Sequence, residues 1–225
     1  MQKGLSESPE LFIGLVAPLG VDLKLLTDCL RNSLHKVNYE PLTIRVSETI
    51  KTTMKETLEF RDDEIKEMLS DKPEHVRIWT YMNAGNMLRK VTGEKGYLAM
   101  TTIVAIQKAR AENINKPRRA YIIRSLKNPG ELEILRSTYG RQFFLIAGNT
   151  CRSRRVENLA TSISLSLKEN ISGRHRRIAL SLIEKDEAET DPEFGEYGQH
   201  VREVFPEADI FVNVCLLYTS PSPRD

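Results

Sequence analysis

Gly14 and Gly20 bracket the stretch "GLVAPLG" between an apolar run, "LFIGLV", and a helical pattern that opens with "VDLKLL". A strand, a glycine turn and a helix in that order can hold a phosphate on backbone N–H groups at the helix N-terminus. In the full phosphate-loop pattern G-x-x-x-x-G-K-[ST], the lysine reaches the terminal phosphates and the hydroxyl holds magnesium. Here the glycines lie one residue too far apart, Val21 stands where lysine belongs and Asp22 where Ser or Thr belongs. The helix N-terminus still attracts anions, but Asp22 sets a negative charge in the same place. Taken alone, the two glycines favour a structural strand-to-helix turn. If the loop does bind an anion, Gly20→Val is expected to abolish binding with little loss of fold.

Three basic clusters follow strands or precede elements at what would be one edge of a sheet: Arg124 with Lys127, Arg152 with Arg154 and Arg155, and Arg174 to Arg177 around His175. Arginines converging there could grip phosphates bidentately. Each cluster alone is as readily a solvated face or a nucleic-acid patch. With the loop they define a candidate phosphate site of Gly14, Gly20, Val21, Asp22, Arg124, Lys127, Arg152 and Arg155. Glu184, Asp186, Glu187 and Glu189 crowd together and could bind a metal; they read as a wet surface at the domain edge, suited to docking another domain. The four histidines share no ligand spacing, the three cysteines none of CxxC type, and neither H-x-E nor P-C-x-x-C occurs. No catalytic residue, metal site or cofactor is therefore assigned to these residues.

Positioning such a site requires a core. At 225 residues, 40% hydrophobic and 28% charged, the chain is long enough to bury one. A net charge of +2 makes no global demand for nucleic acid or an anionic membrane. No apolar stretch approaches the roughly 20 residues of a membrane span, and no signal-peptide pattern opens the sequence, so the cytoplasm is the expected location. Strands are expected at "LFIGLV", "YEPLTIRVS", "RAYIIRSL", "RQFFLIAGN" and "ADIFVNV". Helices are expected over residues 21–37, 47–70, 74–91, 97–113, 129–139, 152–169 and 198–205, with a mixed stretch after "SGRHRR". Alternating strands and helices imply right-handed crossovers and a mainly parallel sheet covered on both faces. The expected fold is thus a three-layer α/β domain over residues 11–214, after an N-terminal tail of residues 1–10.

"GLVAPLGVDL", "AGNMLR", "AYIIRSLKNPGELEILRSTYG", "FFLIAG" and "LIEKDEAE…GQHVREVFPEADIFV" occur in this order. Together they resemble the N-terminal half of bacterial two-domain deoxycytidylate deaminases of anti-phage defence. That resemblance implies a P-loop NTPase fold of nucleotide-kinase type, followed by a zinc-dependent deaminase domain that converts dCTP or dCMP to the uracil nucleotide. It also implies a cognate RNA or other control, and homo-oligomers at full length. "AYIIRSLKNP" separately resembles the strand of nucleoside-monophosphate kinases that ends in an acid and an arginine, with Arg124 at about the acidic position. Both kinase groups, the lysine and the acid, are then missing. This chain would be a regulatory or nucleotide-sensing half that binds ATP or a deoxycytidine nucleotide, with zinc in the missing deaminase domain. The alternatives are an autonomous nucleoside or nucleotide kinase with an atypical loop, and an RNA-binding module.

"CLLYTSPSPRD", residues 215–225, resembles one translated frame of a sequencing adapter. On that reading the natural gene continues past Val214, and the tail is expected to make no core contact.

Overall fold

The computed structural model describes residues 10–56, 60–112, 118–189 and 191–217. Five strands form one parallel sheet: β1 (Leu11–Val16), β2 (Glu40–Arg45), β3 (Arg119–Arg124), β4 (Phe143–Asn149) and β5 (Ile210–Asn213), in spatial order β2-β3-β1-β4-β5. β1 is the centre and β3 an interior neighbour, which is why "FIGLV" and "AYII" are continuous apolar runs and not alternating ones.

The connection from β1 to β2 runs one way across the sheet, and every later one runs the other way. Right-handed crossovers therefore set α1 (Leu23–Lys36) on one face and the later helices on the opposite face. The packing follows. Leu26 and Leu34 of α1 meet Ile13, Leu15, Ile122 and Ile146. The other face is covered from α2 (Val46–Glu56), α5 (Tyr97–Glu112) and α6 (Pro129–Tyr139) onto Phe12, Tyr121, Ile123 and Leu145. The expected three-layer α/β arrangement is present.

A third cluster joins α4 (Glu74–Thr92) to a helical hairpin of α7 (Arg152–Leu167) and α8 (Gly173–Glu187), through Ile78, Met82, Leu159, Ile163, Leu182 and Ile183. α8 corrects the expectation of a mixed stretch. Ser172 caps it, and its buried residues His175, Ala179, Leu182, Ile183 and Asp186 do follow a helical stripe. The stripe begins and ends in polar residues, which disguises its period. The single helix expected over residues 47–70 is instead α2 and α3 (Asp62–Met68). α6 starts on an Asn128–Glu131 capping box and closes at Gly140. The short α9 (Val201–Val204) precedes β5, and α10 (Val214–Leu217) follows it. Leu217 packs against the α1 cluster, so the expectation of no core contact fails for that residue, while Cys215 touches Thr150 outside the core; residues 218–225 lie outside those described.

Candidate functional site

In a doubly wound sheet, ligands sit beyond the carboxyl ends of the strands, where the winding reverses. Here that point is the end of β1, between β3 and β4. Gly14 is not in the turn but inside β1, where an added Cβ would lie 2.7 Å from the Phe143 ring. Its role there is close packing. Gly20 is in the turn, at φ +88°, and its missing Cβ would fall 2.4 Å from the Arg155 carbonyl oxygen. The α7 backbone, not a ligand, lies against it. Gly20→Val is therefore expected to destabilise the fold by about 2 kcal/mol or more, combining left-handed strain with a backbone collision. A melting-temperature comparison reads this, and an unchanged value would contradict it. Val21 is buried against Gly148, and Asp22 caps α1 by accepting the Leu25 N–H at 2.9 Å. Both are occupied structurally.

The turn is nonetheless an anion seat, and the protein fills it itself. The Leu19 N–H donates to Asp186 Oδ2 at 2.7 Å, while Asp186 Oδ1 pairs with Lys127 Nζ at 2.7 Å. Lys127 also donates to the Ala17 carbonyl at 3.0 Å. A lysine does enter the loop, then, from the β3–α6 connection, but it meets a carboxylate that is 1% exposed. The neighbouring arginines are treated alike. Arg155 pairs with Glu187 at 2.8 Å, and Arg152 reaches Glu184 at 3.2 Å. Burial pushes the Glu187 carboxyl up, but hydrogen bonds from Arg155 and Arg202 outweigh it and leave the group below its ordinary value. The acidic stretch is therefore no wet surface: Asp186 and Glu187 are buried counter-ions of Lys127 and Arg155. The third cluster stays apart. Arg176 pairs with Glu157, and His175 is buried in the α8 cap.

Arg124 differs from all of these. At the carboxyl end of β3 its side chain forms no ion pair or hydrogen bond among the described residues. Its register partner on β2 is Arg45, so two guanidinium groups leave adjacent strands side by side. Burial, and then repulsion from Arg45, lower the affinity of Arg124 for its proton. The pair lines a polar cleft of about 660 Å³ with Lys24, Lys51 and Arg77, against the carboxylates of Glu48 and Asp71. Lys24, Arg45, Lys51 and Arg77 hold Asp28, Glu48, Asp71 and Glu74 respectively. The next residue, Ser125, sits at φ +74°, a left-handed conformation that is costly for a residue with a Cβ. The N–H groups of Ser125 and Leu126 both donate to the Leu15 carbonyl, which pins that turn. Strain held at a sheet edge beside an unpartnered arginine is characteristic of a binding site. Of the candidate residues read from sequence, only Arg124 lines this cleft. Lys127 lines the recess beside it, and Arg152 and Arg155 lie with α8. Arg45, Lys51 and Arg77 were missed, because on helical or strand patterns they read as ordinary surface charges.

Behind the cleft lies a buried polar hub. Arg89, 1% exposed, pairs with Glu131 at 3.1 Å and donates to Asn86 and to the Tyr197 carbonyl. Asn86 also accepts from Gln199 and donates to Glu189. Glu131 accepts the backbone N–H of Lys127, and the Asn128 side chain donates to the Gly198 carbonyl. "AGNMLR", "KNPGELE" and "GQH" thus meet at one point, and they orient the chain that carries Arg124, Ser125 and Lys127.

No family model and no curated protein matches this chain. Among solved structures it is similar to a gluconokinase from Sinorhizobium meliloti 1021, at 11% identity and a TM-score of 0.34, covering 94% of this chain and 98% of that one. A TM-score of that size carries no argument, and the fold stands on its own sheet order. Among the described residues no helix is long and apolar enough to cross a membrane.

Proposed function

We propose that this chain is a nucleotide-binding domain that senses its ligand without transferring a phosphoryl group. The observation that carries this is the unpartnered Arg124 side chain beside Arg45 in a polar cleft at the carboxyl ends of β2 and β3, one strand over from the reversal point of the sheet. Phosphoryl transfer depends on positioning and on neutralising the charge of the transferred group. The turn offers neither the lysine at Val21 nor a hydroxyl at Asp22, and its visiting lysine is bound to Asp186. The resemblance to two-domain deoxycytidylate deaminases of anti-phage defence extends the reading: the domain is the regulatory half, its nucleotide belongs to the deoxycytidine pool, and its partners are a deaminase domain, a controlling RNA and further copies of itself. The zinc of that reading belongs to the deaminase domain. Among the described residues no three His, Cys, Asp or Glu side chains come together as a metal site. An autonomous kinase is the second reading, favoured only by the entry of Lys127 into the loop.

Calorimetry of the full chain with ATP, dCTP and dCMP tests the first reading, together with a phosphoryl-transfer assay on the same preparation. At least one nucleotide is expected to bind, and Arg124→Gln is expected to weaken it by about tenfold or more, the loss of a charged hydrogen-bond donor. No ADP should form from ATP. Turnover of ATP would move the kinase reading to the front, and binding indifferent to Arg124→Gln would remove this site from consideration.

A further inference from the structure

The cationic cleft and the filled turn lie beside one another, and their charges decide what length of anion can bind. Asp186 sits on the Leu19 N–H and Lys127 Nζ as a phosphate oxygen would, with both carboxylate oxygens engaged. Because that carboxylate is buried, a ligand phosphate could take its place only by leaving a charge unpaired in the interior. The turn is therefore closed to a polyphosphate chain. On the cleft side, Arg124 is the cation without a counter-ion among the described lining residues, and Arg45 can turn its guanidinium from the exposed Glu48 toward the same anion. Two neighbouring guanidinium groups suit the oxygens of one phosphoryl group.

Carboxylates ring this position. Asp22, Asp28 and Glu48 act on the Arg124 charge, Asp71 lines the cleft, and Asp186 lines the recess that opens from it. Lys24, Lys51 and Arg77 are already matched by Asp28, Asp71 and Glu74. A second or third phosphoryl group, extended toward the turn or toward α2, would meet these acids without a free cation to receive it. The recess shares Ser47, Arg77, Tyr81 and Ser125 with the cleft, and its wall carries Ile50 and Met82. It offers an apolar surface for a ring next to the anion seat, which is the plan of a nucleotide pocket.

We infer that the cleft takes one phosphoryl group with a heterocycle in the adjoining recess, so that a nucleoside monophosphate binds in preference to the corresponding triphosphate. This rests on the nucleotide-binding reading above and narrows it. Arg45 and Arg124 would hold the monoester dianion, and Asp186 would act as a fixed internal anion that excludes longer chains from the turn.

The test is a calorimetric titration of the full chain with dCMP, dCTP, AMP, ATP and inorganic phosphate at one ionic strength. Each monophosphate that binds is expected to do so at least about tenfold more tightly than its triphosphate, the size of one charged contact. Arg124→Gln and Arg45→Gln, both near the surface and checked for folding by thermal melting, are each expected to lose a similar factor for the monophosphate. Triphosphate binding as tight as that of the monophosphate overturns this inference and leaves the broader reading standing. Inorganic phosphate binding as tightly as the best nucleotide also overturns it, because the recess would then contribute nothing. Binding of none of the five overturns both.

Discussion

Arg89→Leu is expected to remove a large part of the stability of the parent chain. The substitution leaves Glu131, 1% exposed, as a charge in the interior with its guanidinium partner gone. It also strips the Tyr197 carbonyl of its guanidinium donor and Asn86 Oδ1 of one of its two donors, Gln199 remaining. Breaking a buried pair from one side costs about 3–5 kcal/mol, a large part of the roughly 5–15 kcal/mol that stabilises a domain. Urea unfolding followed by circular dichroism would read the loss. Adding Glu131→Gln to Arg89→Leu should recover part of it, since the buried charge is then removed while an acceptor for the Lys127 N–H is kept. A loss below about 1 kcal/mol in the single variant would mean that the hub is not holding the β3–α6 turn in place.

Much of this molecule could be read from local pattern. Continuous apolar runs identified the strands, the helix expected over 129–139 is α6, and Asp22 stands at the start of α1. Those signals act over a few residues, and the physics they report is local. The electrostatics of the site were not legible in the same way. Arg155 and Glu187 are 32 positions apart, and Lys127 and Asp186 are farther still. Their pairing exists only because α8 folds back along α7 and both dock on α4. Read as separate runs, "RSRR" looks like a place for phosphates and "EKDEAE" like a wet surface. Folded together, each largely cancels the other. The same blindness hid Arg45, whose meaning depends on a strand register that sets it beside Arg124. "AGNMLR" and "GQH" were legible as motifs but not as one object, because Asn86 and Gln199 meet across 113 positions.

Removing the Asp186 carboxylate is expected to release the α7–α8 hairpin from the turn it closes. Asp186→Ala leaves the Lys127 ammonium, 16% exposed, facing the Ala17 carbonyl without its counter-ion, and leaves the Leu19 N–H without its acceptor. A loss of about 3–5 kcal/mol follows from the broken buried pair. Asp186→Asn keeps an oxygen for the Leu19 N–H and should lose less, so the difference between the two variants isolates the backbone bond from the charge. Lys127→Met combined with Asp186→Leu should be milder than Asp186→Ala alone, since replacing both partners by apolar groups leaves no uncompensated charge. Hydrogen exchange locates the effect: protection should fall first at Leu19 and along α7 and α8, while the central strands β1 and β3 keep theirs. Uniform loss across the sheet would instead make Asp186 a support of the whole core. Asp186→Ala within about 0.5 kcal/mol of the parent would mean that water or a mobile Lys127 satisfies the turn, and the seat would then be open to a ligand phosphate.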